Sequence, residues 1–153
     1  LIIVGIDPGN TSGWSIWEDG NLRLSGQGKI SELVHLVECN CRQIDMLAIE
    51  SMYPGKGPAG PKSLYTLGKN TGKIMGHLEY LVSKKNLVWE PTPQEWRKEI
   101  GIDIRDRNKV AEAAIKYAEQ ISDEKMEGPR GGKQIDRAMA VCIGYAAIKR
   151  FGK

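Results

Sequence analysis

Residues 2–10, IIVGIDPGN, run through five apolar or glycine positions to an aspartate and then break into a Pro-Gly turn. A run without polar alternation reads as a strand covered on both faces. A carboxylate at the end of such a strand is costly to desolvate unless something positive meets it. The stretch therefore calls for a buried sheet that delivers Asp7 to its rim. It leaves three uses for that acid: a phosphate-bearing nucleotide, a metal ion, or none.

The rest of the chain supplies the sheet. Strands are expected at Leu1–Asp7, Gly13–Trp17 and Leu22–Gly28, joined by DPGNTSG and EDGN, short turns of the composition hairpins need. Ser31 is positioned to cap a helix running to about Cys39. DMLAIES, residues 45–51, is a second apolar run ending on an acid, Glu50. The Gly/Pro-rich stretch 52–62, MYPGKGPAGPK, cannot be regular structure. A helix follows over Ser63–Lys84, with glycines at 68, 72 and 76 that cost helix propensity but admit a close neighbour. NLVWE makes a fifth strand, and Thr92, Pro93 and Glu95 form a capping box for the next helix. Val110–Ala118 and Ile135–Ile148 complete the chain as amphipathic helices. Hairpins followed by helix crossovers predict an α/β fold: a mixed five-stranded sheet, three strands antiparallel and then parallel ones, flanked by helices. At 153 residues the expectation is one domain over 1–153.

Crossover strands pair in parallel, about 4.8 Å apart. Asp7 and Glu50 would then converge at the carboxyl end of the sheet, where open α/β sheets bind ligands. Two carboxylates that close need a counter-charge, and a divalent cation is the natural one. A third acid, Asp136, opens the last helix, expected from near Lys133 with a buried stripe of Ile135, Ala138, Met139, Cys142, Tyr145 and Ala146. It could simply complement the helix dipole, worth about 0.3–1 kcal/mol. Yet Ala140, Ile143 and Ala147 continue its line, so it sits against something packed.

A net charge of +3 names no partner, but its distribution is uneven. Residues 54–85 carry six lysines against Glu79, and residues 125–153 carry seven basic residues against Glu127 and Asp136. Such tracts suit an anionic polymer bound on one side, or are solvated surface. Three cysteines and two histidines match no zinc spacing, and reduced thiols are expected in a cytoplasmic protein. No apolar run approaches the roughly 18 residues of a membrane span, and nothing resembles a signal peptide.

GIDPG closing the first strand, AIE closing the fourth, PQEWRKEIG after the fifth and DRAMAV on the last helix together resemble the RuvC family of Holliday-junction resolvases. The order of the four is the family's and spans essentially the whole chain. The short form is similar to members from phages and other mobile elements. The resemblance implies a ribonuclease H-like fold and a homodimer that makes paired, symmetric nicks in four-way DNA junctions with Mg²⁺, or Mn²⁺ in its place. It makes Asp7, Glu50 and Asp136 the metal ligands, an all-oxygen set suited to hard cations. Two ions about 4 Å apart would serve an in-line displacement, with no covalent nucleophile. Where the family usually has an acid or His three residues before the final Asp, this chain has Lys133, which helical spacing would bring to the active-site rim. The resemblance also makes Tyr53 a base-stacking residue, with Lys56 and Lys62 as phosphate contacts. It puts the dimer interface on the glycine-stepped helix, whose Lys69 and Lys73 would border the DNA.

DPGNTSGW also resembles the first phosphate loop of sugar kinases and actin. Those proteins need a second domain and a second glycine-rich loop, so no nucleotide cofactor is expected. The same motifs would also suit a non-catalytic junction binder, or a ribonuclease H-like nuclease acting on RNA.

Overall fold

The computed structural model describes residues 1–51, 61–104 and 106–152. Tyr53 and Lys56 lie outside the described residues, and Lys62 falls in the first turn of a helix where only the backbone is described. The strands are β1 (Ile2–Asp7), β2 (Ser12–Glu18), β3 (Asn21–Gly28), β4 (Ile44–Ile49) and β5 (Val82–Trp89). The helices are α1 (Ile30–Asn40), α2 (Pro61–Leu78), α3 (Pro93–Glu99), α4 (Arg107–Ser122) and α5 (Ile135–Phe151).

The five strands form one sheet in the order β3-β2-β1-β4-β5. β1–β2 and β2–β3 pair antiparallel, whereas β1–β4 and β4–β5 pair in parallel. This is the mixed sheet expected from hairpins followed by crossovers. The β2–β3 hairpin turns on Asp19 and Gly20, both at positive φ (49° and 83°), the geometry that Asp-Gly tolerates in a two-residue loop.

Strand alternation divides the core in two. Val4, Ile6, Leu47 and Ile49 pack with Leu33 and Val37 of α1 and Ile74 and Leu78 of α2. On the opposite face Ile3, Met46 and Ala48 pack with α5, behind which lie Trp96 of α3 and Ala114 and Ala118 of α4. α5 is therefore covered on nearly every side, with Ala138, Ala140, Val141, Cys142, Ile143, Gly144, Ala146 and Ala147 all buried. The expected one-sided stripe is wider than an amphipathic pattern because small residues let the helix sit between the sheet and two other helices. A Cβ on Gly5 would lie 2.5 Å from both the Ala140 carbonyl oxygen and the Gly144 nitrogen, so α5 rides directly on β1. The Ser15 hydroxyl donates to the Ala140 carbonyl at 2.7 Å and accepts from the Trp17 indole at 3.1 Å.

Several boundaries differ from expectation; α2 starts at Pro61, inside the stretch 52–62 expected to be irregular, and α4 runs longer than Val110–Ala118. α1 begins at Ile30, with Lys29 and not Ser31 at the cap. β3 runs to Gly28 to pair with Ser12, and the Glu32 carboxylate accepts the Lys29 N–H at 2.9 Å in place of a serine cap. α2 stops at Leu78 and passes through a 3₁₀ turn, Glu79–Leu81, because Val82 is drawn into the sheet opposite Ile44. α5 begins at Ile135, after Lys133. Among the described residues, no helix is long and apolar enough to cross a membrane.

Candidate active site

Pairing of Ile6 with Ile49 carries the next residues, Asp7 and Glu50, to the same end of the sheet. The Glu50 N–H donates to the Ile6 carbonyl at 3.0 Å, extending the ladder one step past β4. Side chains alternate along a strand, so Ile3, Gly5 and Asp7 share one face, and Met46, Ala48 and Glu50 share the equivalent face of β4. That face is the one covered by α5. Asp7 lies opposite Gly13 on β2, and a Cβ on Gly13 would collide with the Asp136 carbonyl oxygen. The first turn of α5 therefore rests on Gly13, beside Asp7. The three acids singled out in the sequence thus come to one face and one end of the sheet, each half-buried.

Their electrostatics follow. Burial pushes the Asp7 carboxyl well above the ordinary aspartate range, and the charges of Glu50 and Asp136 push it further in the same direction. Burial also raises Asp136. Among the described residues, no group of three or more His, Cys, Asp or Glu side chains is gathered tightly enough to hold a metal ion as the side chains stand. The donor chemistry nevertheless fits a hard divalent cation: oxygen ligands only, with a central carboxylate destabilised by two others.

Neighbouring elements hold this cluster in place. The indole N–H of Trp96, a fully buried residue of α3, donates to Glu50 Oε2 at 2.6 Å. α3 starts on the expected capping box, with the Thr92 N–H donating to Glu95 Oε2 at 2.8 Å and the Glu95 N–H donating to Thr92 Oγ1 at 3.3 Å. Those bonds hold the exposed Glu95 carboxyl below its usual range. The Ser51 N–H donates to the Pro91 carbonyl at 2.8 Å, joining the segment after Glu50 to the start of α3. At the head of α5, the Arg137 N–H donates to Gln27 Oε1 at 3.1 Å and its Nε to Ser25 Oγ at 2.8 Å, both on β3. Arg137 is also ion-paired with Glu124. The turn after β1 is tied to α2, where Asn70 Nδ2 donates to the Gly9 carbonyl at 2.8 Å.

Trp96 and Arg137 carried no sequence signal for these roles. A lone tryptophan in a short helix reads as core, and an arginine in a basic tract reads as surface.

The remaining described candidates lie outside β1, β4 and α5. Lys133 is exposed, precedes α5 and is bridged through its backbone to Glu127, so the three-residue helical spacing from Asp136 does not apply to it. Lys69 and Lys73 are exposed on α2, whose buried side covers the sheet face opposite the three acids. Lys73 lines a cleft of about 740 Å³ between α1 and α2, together with Lys29, His35, His77 and Asn10.

No protein-family model and no curated protein matches the chain in sequence. Solved structures do match in fold. Thermus thermophilus RuvC in complex with a Holliday junction substrate is similar over 97% of this chain and 94% of its own, with a TM-score of 0.69 at 12% identity. A further structure of Thermus thermophilus RuvC is similar over 99% of this chain and 97% of its own, with a TM-score of 0.65 at 15% identity. The chain has a RuvC-like, ribonuclease H-like fold.

Proposed function

We propose, from the RuvC-like fold, that this protein is a structure-selective endonuclease. It resolves four-way and other branched DNA junctions by paired, metal-dependent hydrolysis of phosphodiesters. The observation that carries this reading is the convergence of Asp7, Glu50 and Asp136 at one end of the sheet, with Asp7 raised by the other two.

Asp7, Glu50 and Asp136 would hold Mg²⁺, or Mn²⁺ in its place, with two ions per site. When bound, such ions supply an activated water and offset the charge that builds on the leaving 3′ oxygen. The chain's own residues hold the geometry. The sheet ladder keeps Asp7 and Glu50 side by side, and Arg137 anchors the turn that carries Asp136. Tyr53, Lys56 and Lys62 are the proposed contacts to junction bases and phosphates, with Lys69 and Lys73 bordering the DNA. Lys133 is proposed to reach the scissile phosphate from the segment before α5, and Lys133→Ala should slow nicking at saturating DNA.

A homodimer matches the two-fold symmetry of a four-way junction. Tyr65, Lys69, Gly72 and Gly76 lie along the exposed outer side of α2, and a Cβ on either glycine would meet nothing within 4 Å. That open stripe supports α2 as the dimer surface. Action on DNA and the free thiols of Cys39, Cys41 and Cys142 favour a cytoplasmic location.

The reading is tested by offering a four-way junction, linear duplex DNA and structured RNA with Mg²⁺. Paired nicks in the junction are expected, with the duplex and RNA left largely intact. A second reading, junction binding without cutting, is favoured by the absence of a tightly gathered metal-holding group among the described residues. Tight junction binding with no nicking in Mg²⁺ or Mn²⁺ would select it.

A further inference from the structure

Of the four sequence stretches that carry the family resemblance, PQEWRKEIG contributes no acid to the cluster, yet it places a buried side chain against one. A glutamate at the end of a strand reaches its site through three torsions, and the last of these is broad and roughly two-fold. Left alone, the Glu50 carboxylate could turn its plane freely relative to Asp7. It is not left alone. Trp96 Nε1 donates to Glu50 Oε2 at 2.6 Å, across 46 residues of sequence. The indole is rigid and only 1% exposed, packed among Met46, Ala48, Ile100 and the α5 side chains. Its helix is pinned at its start by the Thr92–Glu95 capping box and the Ser51–Pro91 bond. A short bond from an immobile donor to an ionised acceptor is among the stronger hydrogen bonds a protein makes.

Packing alone does not require that bond. Trp14 is also a buried indole, and its Nε1 has no hydrogen-bond partner among the described residues. The fold tolerates a large buried indole with an idle N–H at one place and aims one at a carboxylate at another.

We infer that Trp96 is a positioning residue for Glu50, its indole N–H fixing the rotation of that carboxylate so that it meets a divalent cation together with Asp7. The inference rests on the metal-dependent reading above. Trp96 does not touch the cation or the DNA, and it acts only through Glu50. Groups that orient a metal-binding carboxylate typically change metal affinity by roughly 10–100-fold when removed.

The test uses DNA-free protein and Mn²⁺, so it does not depend on turnover. Mn²⁺ is titrated by calorimetry into the parent, Trp96→Phe and Trp14→Phe, with melting temperatures recorded in chelator. Trp96→Phe should bind Mn²⁺ at least tenfold more weakly than the parent, and Trp14→Phe should bind as the parent does. Parent-like affinity, within twofold, in a folded Trp96→Phe variant would overturn the positioning role and leave the metal site standing. A parent chain that bound no Mn²⁺ would overturn the metal-dependent reading itself, and this inference with it. Because Trp96→Phe could fail to fold, a second measurement uses the unaltered chain. In ¹⁵N-tryptophan-labelled protein, Mg²⁺ should shift the Trp96 indole resonance and leave that of Trp14 in place. Mg²⁺ binding that moved neither resonance would overturn the inference.

Discussion

Asp7 is the residue on which most depends, and its electrostatics give a sign that can be checked. Its folded pKa is raised above the ordinary 3.8, first by burial and then by Glu50 and Asp136. Between 3.8 and the raised value the folded chain holds a proton that the unfolded chain has released. The stability contributed by that proton is complete below 3.8 and is lost as pH rises through the folded pKa. Asp136 is shifted in the same direction by burial and adds to the trend. In chelator the protein should therefore melt lower at pH 8 than at pH 5, and Asp7→Asn should flatten that slope and melt higher than the parent at pH 8. Each pKa unit of difference is about 1.4 kcal/mol, and 1 kcal/mol moves the melting temperature of a domain this size by about 2–4 °C. Thermal melts of both chains across that range check the sign. Mg²⁺ should raise the melting temperature of the parent more than that of the Asn variant. Asp7 and Glu50 drew attention in the sequence because a carboxylate closing an apolar strand needs a reason to be there, and Asp136 because small and apolar residues continue its line on the last helix. Trp96 did not, since its partner is 46 residues away and nothing local to it signals a contact. For Lys133 the difference is two residues of helix boundary: α5 begins at Ile135, so helical spacing no longer places it relative to Asp136.

At the scale of elements, the cluster depends on how closely α5 lies on the sheet. Gly13 is where that approach is tightest, because a Cβ there would meet backbone, the Asp136 carbonyl, and backbone cannot rotate away. Gly13→Ala should destabilise the chain by about 1–3 kcal/mol. It should also weaken Mn²⁺ binding, because the turn carrying Asp136 must lift. Calorimetry of the variant gives both quantities, and unchanged Mn²⁺ affinity would separate Asp136 from the site. Gly72 on α2 is the opposite case, open on its outer side. Gly72→Ala would add up to about 1 kcal/mol of helix propensity to an isolated chain, but should weaken self-association if two copies meet there. Sedimentation across a concentration series should show the variant dissociating at higher concentration than the parent. The order and type of the elements were legible from turn composition and apolar runs. Some of their ends were not, because tertiary pairing set them: Ile44 drew Val82 out of the expected helix and into the sheet.

Across the whole molecule, the sheet separates two helical layers with different tasks. α1 and α2 cover one face and carry the exposed Lys69 and Lys73, while α5, backed by α3 and α4, covers the other and completes the acid cluster. The parallel step from β1 to β4 is what brings Asp7 and Glu50 together, and it could be anticipated from the crossover between them. The lie of α5 across β1 could be seen only in outline, through Ala140, Ile143 and Ala147 in line with Asp136; the close approach at Gly5, Gly13 and Gly144 belongs to the folded chain. If the molecule is a junction nuclease, binding and cutting should come apart, since affinity for DNA is supplied mainly by basic residues and cutting by the acids. The most direct measurement compares the parent with Asp7→Asn on a labelled four-way junction in Mg²⁺, scoring binding by gel shift and nicking on a denaturing gel. The parent should make paired nicks, and Asp7→Asn should bind the junction with similar affinity and leave it uncut. Nicking by Asp7→Asn at the parent's rate would contradict the assignment of the active site.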